Sequence, residues 1–298
     1  MDYKLISTYL DYCKTHKRLN SHTIRAYKND LMQFYNSNYD NVESYIEELT
    51  QSNIKTNTLR RKIACIKVFY NYLKYQHIIE ENPFNQLRFQ FRTEKILPKT
   101  IPYDILKNIF SYLEQRVVIS KTDYQKQKAE RNLLIISLLL STGIRISELC
   151  HIHLKDINLS NKTLHIIGKG KKERILFLGD QTTFNLLETY INKNGKESND
   201  FLFPGKHSPK PLSEQSVRLI LKRIVEQNGL SKTITPHMFR HSFATMLLDN
   251  DVDIRYIQQI LGHSSISITQ IYTHVSHSKQ KEILSSFNPM SVIHSEIE

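Results

Sequence analysis

Tryptophan is absent from this 298-residue chain, and cysteine occurs only three times, at Cys13, Cys65 and Cys150. An odd number of widely spaced cysteines makes no disulfide framework, so they read as reduced thiols of a cytoplasmic protein. Long apolar runs are missing too. The greasiest stretch, residues 133–140 with Ser137 inside it, is far too short to span a bilayer and reads as a buried helix. The opening MDYKLISTYLDYCKTHK lacks the uninterrupted apolar core of a secretion signal. Dense carboxylates are also scarce. Asp249, Asp251 and Asp253 come nearest, but they read as a helix-entry loop, which argues against a metal-dependent nuclease or transposase. Zinc is poorly served, because neither Cys150-His151-Ile152-His153 nor the pair His274 and His277 offers four ligands at finger spacing. No metal and no cofactor is expected. The GKGKK segment lacks the strand–GxxxxGK[ST]–helix order of a P-loop, and no internal repeat or low-complexity tract occurs.

What the chain has in excess is positive charge: 41 Lys and Arg against 29 Asp and Glu, a net +12. The basic residues recur throughout instead of lining one helix, which favours nucleic acid over a membrane surface as the polyanionic partner. The length allows two domains, each with its own core.

Residues 1–87 read as a small helical domain of four helices. Leu5, Ile6, Tyr9 and Leu10 begin it, and Ile24, Tyr27, Leu31, Phe34 and Tyr35 form a second stripe entered through Asn20-Ser21. Asp40 and Glu43 resemble a capping box for a short third helix. The fourth turns Leu59, Ile63, Ile66, Tyr70 and Leu73 inward, and its other side carries Arg60, Arg61, Lys62, Lys67 and Lys74 with no acid among them. That face is a candidate for phosphate contacts. Residues 88–100 carry Pro98, show no helical stripe and are expected to be an extended basic linker.

The second domain, residues 101–298, begins with a helix around residues 105–113, then a polar stretch, residues 120–131, without an evident role. The buried helix follows and stops at Gly143. Arg145 then stands just beyond an apolar helix, at a depth where a guanidinium needs a partner; Glu148 is the candidate. Residues 153–157, 163–167 and 174–178 read as three strands of a β meander, with Lys169 between two glycines in the second turn. A later helix around residues 217–225 shows Arg218, Lys222 and Arg223 on its polar side, a candidate for the DNA groove. Near the C-terminus His237 and Arg240 share a helix face at i and i+3, His263 follows a Leu-Gly helix stop, and Tyr272 comes after it. Leu247, Ile254, Ile257, Ile260 and Leu261 would hold these helices to the core. A short tail helix with Ile283, Leu284 and Phe287 needs something to pack on, its own domain or a neighbouring subunit.

The blocks TGIRISEL, GKGKKER, TPHMFRHSFAT and LGHSSISITQIYTH, in that order, resemble the catalytic boxes of the tyrosine recombinases, nearest the bacterial Xer-type members. SHTIRAYKNDLMQFY and LRRKIACIKVFYNYL resemble that family's DNA-gripping domain, so the likeness covers nearly the whole chain. It implies a mainly α protein of two domains, a helical DNA-gripping one and an α+β catalytic one with a small three-stranded antiparallel sheet. It also implies a site-specific recombinase that breaks and rejoins DNA without metal or ATP. Arg145, Lys169, His237, Arg240, His263 and Tyr272 become the active-site set, with Glu148 as accessory, while His241 is left as a structural, hydrogen-bonded histidine. The implied partners are duplex DNA with paired half-sites and other recombinase subunits, in a homo- or hetero-tetramer joined through the C-terminal tail. The ending FNPMSVIHSEIE departs from that of dedicated chromosomal Xer proteins, which leaves dimer resolution and element mobility both open. A DNA-binding protein without catalysis would explain the charge but has no use for this residue set; a type IB topoisomerase would share the chemistry without two-site exchange.

Overall fold

The computed structural model describes residues 2–37, 39, 41–87, 99–168, 173–194, 200–205, 209–230, 233–262 and 277–297. The chain divides into two compact units, Met1–Ile96 and Leu97–Glu298. Most of the expected linker, residues 88–98, lies outside the described residues.

The first unit is built from four helices, α1 (Tyr3–Thr15), α2 (Ser21–Asn36), α3 (Val42–Gln51) and α4 (Thr56–Tyr75). The first three each begin at a short polar side chain that accepts an orphaned backbone N–H: Asp2 from Lys4, Asn20 from Thr23 and Asn41 from Ser44. The cap of α3 is therefore Asn41, and the expected Asp40–Glu43 box starts one residue early. In place of tryptophan, tyrosine and phenylalanine fill the centre. Tyr9 is fully buried, with the rings of Tyr27, Phe69 and Tyr72 at 6.4, 5.2 and 5.1 Å. The basic face of α4 is narrower than its sequence suggests. Asp30, buried on α2, pairs with Arg61, and Lys62 is buried, its Nζ bonded to Gln33 and 3.9 Å from Asp30. The acid missing from α4 is supplied by the helix beside it. Arg60, Lys67 and Lys74 stay exposed.

The second unit wraps around α6 (Asp123–Thr142), which packs against α5 (Tyr103–Val118) and later helices. The polar stretch that had no evident role is the first half of this helix. Thr122 caps it by accepting from Gln125 at 3.2 Å, and Glu130 pairs with Lys193 at 2.9 Å. From residue 133 to 142 every side chain is buried. The helix stops because Gly143 takes φ 60°, where a Cβ would lie 2.5 Å from Phe243 and 2.7 Å from Leu261. Only glycine fits there. The short α7 (Ile146–Cys150) follows at once, capped by Arg145 and Glu148.

The sheet is antiparallel in the order β1 (Ile157–Asn158), β2 (Thr163–Ile167), β3 (Glu173–Phe177), with Leu164 opposite Ile157 and Leu176, and Ile166 opposite Arg174. The expected first strand, residues 153–157, is mostly a 3-10 turn at Leu154–Asp156. There the Asp156 carboxylate accepts the His153 N–H at 2.9 Å and curls the chain before it can pair. The third strand sits one residue earlier than expected. Helices α8 (Gln181–Asn194), α9 (Glu214–Gln227), α10 (Pro236–Asp249) and α11 (Ile254–Leu261) complete the core. Asp253 caps α11 by accepting from Arg255 at 2.8 Å, as expected for a helix-entry loop. Ile254, expected to face inward, is exposed in the first turn, whereas Leu247, Ile257, Ile260 and Leu261 are buried.

The tail forms α12 (His277–Ser286) and a further helix not evident in the sequence, α13 (Pro289–Ile297). Ile283 and Leu284 are buried, while Phe287 is exposed. In this single chain α13 packs on α5, α6, α8 and α10 of its own unit. Asn288, with no exposed surface, donates to the Ser141 carbonyl at 2.9 Å and accepts from Met290 at 3.0 Å.

Candidate active site

Among the described residues three guanidinium groups and one carboxylate gather where α6 ends, α7 begins and α11 terminates. Arg145, at the start of α7, donates from Nη1 to Glu148 Oε1 at 2.9 Å, and its backbone N–H donates to Oε2 at 3.0 Å. Arg174 on β3 reaches the same carboxylate from the sheet, Nη2 to Oε2 at 2.7 Å and Nη1 to Oε1 at 3.0 Å. Arg240 on α10 is buried and donates to the Gly143 and Leu261 carbonyls, both at 2.6 Å. Arg174 Nε also donates to the Ile260 carbonyl at 3.1 Å, and Arg145 approaches the Leu261 and Gly262 carbonyls at 3.4 and 3.5 Å. The last carbonyls of a helix lack intrahelical partners and carry the negative end of its dipole. Here arginines satisfy them. Gly262, with φ 63°, then turns the chain out of α11 immediately before His263.

The charge balance is lopsided. Burial would raise the Glu148 carboxyl, but hydrogen bonds and charge from Arg174, then from Arg145, outweigh it and hold the group below the ordinary carboxylate range. Burial, followed by the neighbouring charges of Arg145 and Arg174, pushes Arg240 down to about 9, still protonated at neutral pH. Among the described residues one carboxylate thus stands against three cations, two of them bonded to it, in a place where the Arg145 side chain keeps 30% of its surface exposed. Such a cluster is completed by an anion.

His237 follows Pro236 at the start of α10, which Thr235 caps by accepting from Met238. It is exposed, whereas Arg240, one turn further on, is buried. His241 is half-buried, and burial with the nearby His237 and Arg240 lowers its pKa. Among the described residues none hydrogen-bonds its ring. The structure therefore brings together Arg145, Glu148 and Arg240, with His237 beside Arg240. Lys169, His263 and Tyr272 lie outside the described residues. Arg174 was missed. Its signal was strand alternation, since it occupies the same inward face of β3 as the buried Leu176, where a charged residue needs a partner. Cys150, His151 and His153 do not converge: the thiol is buried, His151 Nδ1 meets the Ser147 carbonyl at 2.7 Å, and His153 packs on Phe201.

Over residues 110–279 the chain matches the Phage integrase family, and over residues 6–77 the Phage integrase N-terminal SAM-like domain. A "Tyrosine recombinase" of Agathobacter rectalis is 49% identical over 303 residues, 97% of either chain. The chain is a tyrosine recombinase of the phage integrase family. XerD of Listeria innocua is 32% identical to this recombinase over 304 residues, 96% of this chain and 98% of its own. The fold is shared with the XerH site-specific recombinase solved bound to its difH substrate before cleavage, with a TM-score of 0.65, 22% identity, and 94% of this chain and 84% of that one covered. On the recombinase's catalytic unit a groove of about 600 Å³ is lined by Arg218, Lys222, Leu219 and Thr235 to His237, which joins α9 to the start of α10. Arg218 pairs with Glu214 at 2.7 Å and Lys222 with Glu226 at 3.7 Å; both cations are exposed, as is Arg223. Exposed pairs of this kind are weak and exchange readily for phosphate. Among the described residues no helix is long and apolar enough to cross a membrane.

Proposed function

We propose that the recombinase cuts and reseals duplex DNA through a 3′-phosphotyrosyl intermediate on Tyr272. The observation that supports this is the cluster of Arg145 and Arg174 on Glu148 with Arg240 nearby, in which, among the described residues, one carboxylate stands against three cations in a partly enclosed place. In the proposed reaction the Tyr272 oxygen attacks phosphorus, a P–O(tyrosyl) bond forms and the bond to the 5′ oxygen breaks. Charge on the non-bridging oxygens is taken by Arg145 and Arg240, with His263 donating a further hydrogen bond, and Glu148 steadies Arg145. A free tyrosine, with a pKa of about 10, is a weak nucleophile at neutral pH, so His237 accepts its proton; Lys169 protonates the leaving 5′ oxygen. The energy of the broken bond is kept in the phosphotyrosine, so a 5′ hydroxyl from a second site reseals the strand without metal or ATP.

The substrate we propose is a pair of duplex sites, each made of two half-sites and bound by a homo- or hetero-tetramer of recombinase subunits joined through the C-terminal tail. The buried thiols Cys13, Cys65 and Cys150 suit a cytoplasmic protein. The proposed contacts to the phosphate backbone come from Arg60, Arg61 and Lys67 on α4 and from Arg218, Lys222 and Arg223 on α9. Lys62 is withdrawn from that set, because it is buried against Gln33.

The test is covalent trapping on a nicked DNA site in the presence of EDTA. Wild type should form an adduct. Tyr272→Phe should bind the same DNA and form none, and an adduct that survives the substitution rules Tyr272 out. Relaxation of supercoils without exchange between two sites would make the enzyme a topoisomerase instead.

A further inference from the structure

Arg174 has no assigned part in the chemistry, yet its side chain makes three hydrogen bonds in the cluster, all within 3.1 Å. Its side chain is 12% exposed and lies on the inward face of β3, where Leu176 shows that an aliphatic residue fits. A guanidinium placed there must give up water, and it adds a third positive charge beside Arg145 and Arg240. Stability alone favours an apolar side chain at such a position. What the arginine gains is geometry. Its fork takes both oxygens of Glu148, at 2.7 and 3.0 Å, while Nε holds the Ile260 carbonyl at 3.1 Å. Its stem runs beneath Gly262 so closely that a Cβ there would lie 3.1 Å from Arg174 Cδ. One side chain thus ties together the carboxylate that orients Arg145, the end of α11 just before His263, and the strand that follows the turn containing Lys169.

We propose that Arg174 is a positioning residue for strand cleavage. It holds Glu148 in the one orientation that aims Arg145 at the scissile phosphate, and it fixes the exit of α11. Lysine would keep the charge but cannot take two carboxylate oxygens and a carbonyl at once. The inference rests on the proposed cleavage reaction at Tyr272.

The experiment follows adduct formation on a nicked site with DNA in excess, reading burst amplitude and rate constant separately for wild type, Arg174→Lys, Glu148→Gln and the double variant. A damaged fold lowers the amplitude, which counts active molecules; a misplaced clamp lowers the rate constant. For Arg174→Lys we expect DNA affinity and amplitude near wild type with a rate constant about a hundredfold lower, the scale of loss from an ångström-sized misplacement. Glu148→Gln should lose a similar amount, and the double variant should be no slower than the slower single one, because the two act as a unit. A wild-type rate constant for Arg174→Lys, a loss seen only in amplitude, or losses that multiply in the double variant would each overturn the proposal. If Tyr272→Phe still formed the adduct, the proposed reaction itself would fall. If Tyr272→Phe is dead and Arg174→Lys cleaves normally, only the role of Arg174 falls.

Discussion

At the scale of single residues the site is governed by the shortage of negative charge. Among the described residues Glu148 is the one acid in contact with Arg145 and Arg174, and its side chain is only 4% exposed. Replacing it with glutamine leaves two guanidinium groups facing a neutral amide, and removing one partner of a buried pair costs about 3 kcal/mol. The effect depends on pH in a definite direction. The folded-state pKa of Glu148 lies below its ordinary value, so the stability it contributes is fully present above the unfolded pKa of about 4.3. That contribution is lost as pH falls through the lower, folded value. Denaturant unfolding of wild type and Glu148→Gln should therefore show a constant gap from neutral pH down to about 5, narrowing only in stronger acid. A gap that closed between pH 7 and 6 would mean that the carboxylate is not held by the arginines.

Among elements, those with a strong period or a strong cap were legible in the sequence. Asn20, Asp253 and Gly143 marked their boundaries, and the apolar stripes of α1 and α4 fell where expected. Arg145 and Glu148 were legible for another reason, as charges at a depth where charge needs company, and Arg240 through its i, i+3 spacing from His237. Three things were hidden. The first half of α6 is wetted on most sides and shows no stripe, so its helicity came from Thr122 and from continuity with the buried half. Residues 153–157 alternate like a strand but are curled by the Asp156 carboxylate. Asp30, which pairs with Arg61 and Lys62 of α4, sits on α2, so the sequence of α4 alone made its face look wholly basic. That last difference can be measured. If α9 lies on the DNA backbone, Arg218→Ala with Lys222→Ala should weaken binding and flatten the plot of log affinity against log salt by about 0.9 per lost contact. Lys62→Met should leave that slope unchanged, since a buried ammonium releases no counterion. Equal slopes for all the variants would remove α9 from the interface.

For the molecule as a whole, the tail and the candidate site converge on the last turn of α6. Asn288 holds the Ser141 carbonyl and caps α13, and two residues further on the Gly143 carbonyl accepts from Arg240. Met290 and Ile293 seal the junction with no exposed surface. The first unit has its own core, from Ile6 to Phe84, separate from the one around α6. A lesion at Asn288 should therefore propagate within one unit and stop there. Asn288→Ala strips a buried carbonyl of its donor and α13 of its cap, and should cost about 1–3 kcal/mol. Hydrogen exchange should show the loss as faster exchange in α6, α10 and α13, with protection in residues 1–96 unchanged. Because Ser141 lies two residues from the Gly143 carbonyl that accepts from Arg240, the same variant should also slow adduct formation at temperatures where it is fully folded. Faster exchange spread evenly over both units would mean that the two cores unfold as one. An unchanged cleavage rate alongside the expected exchange pattern would limit the tail to stabilising the fold.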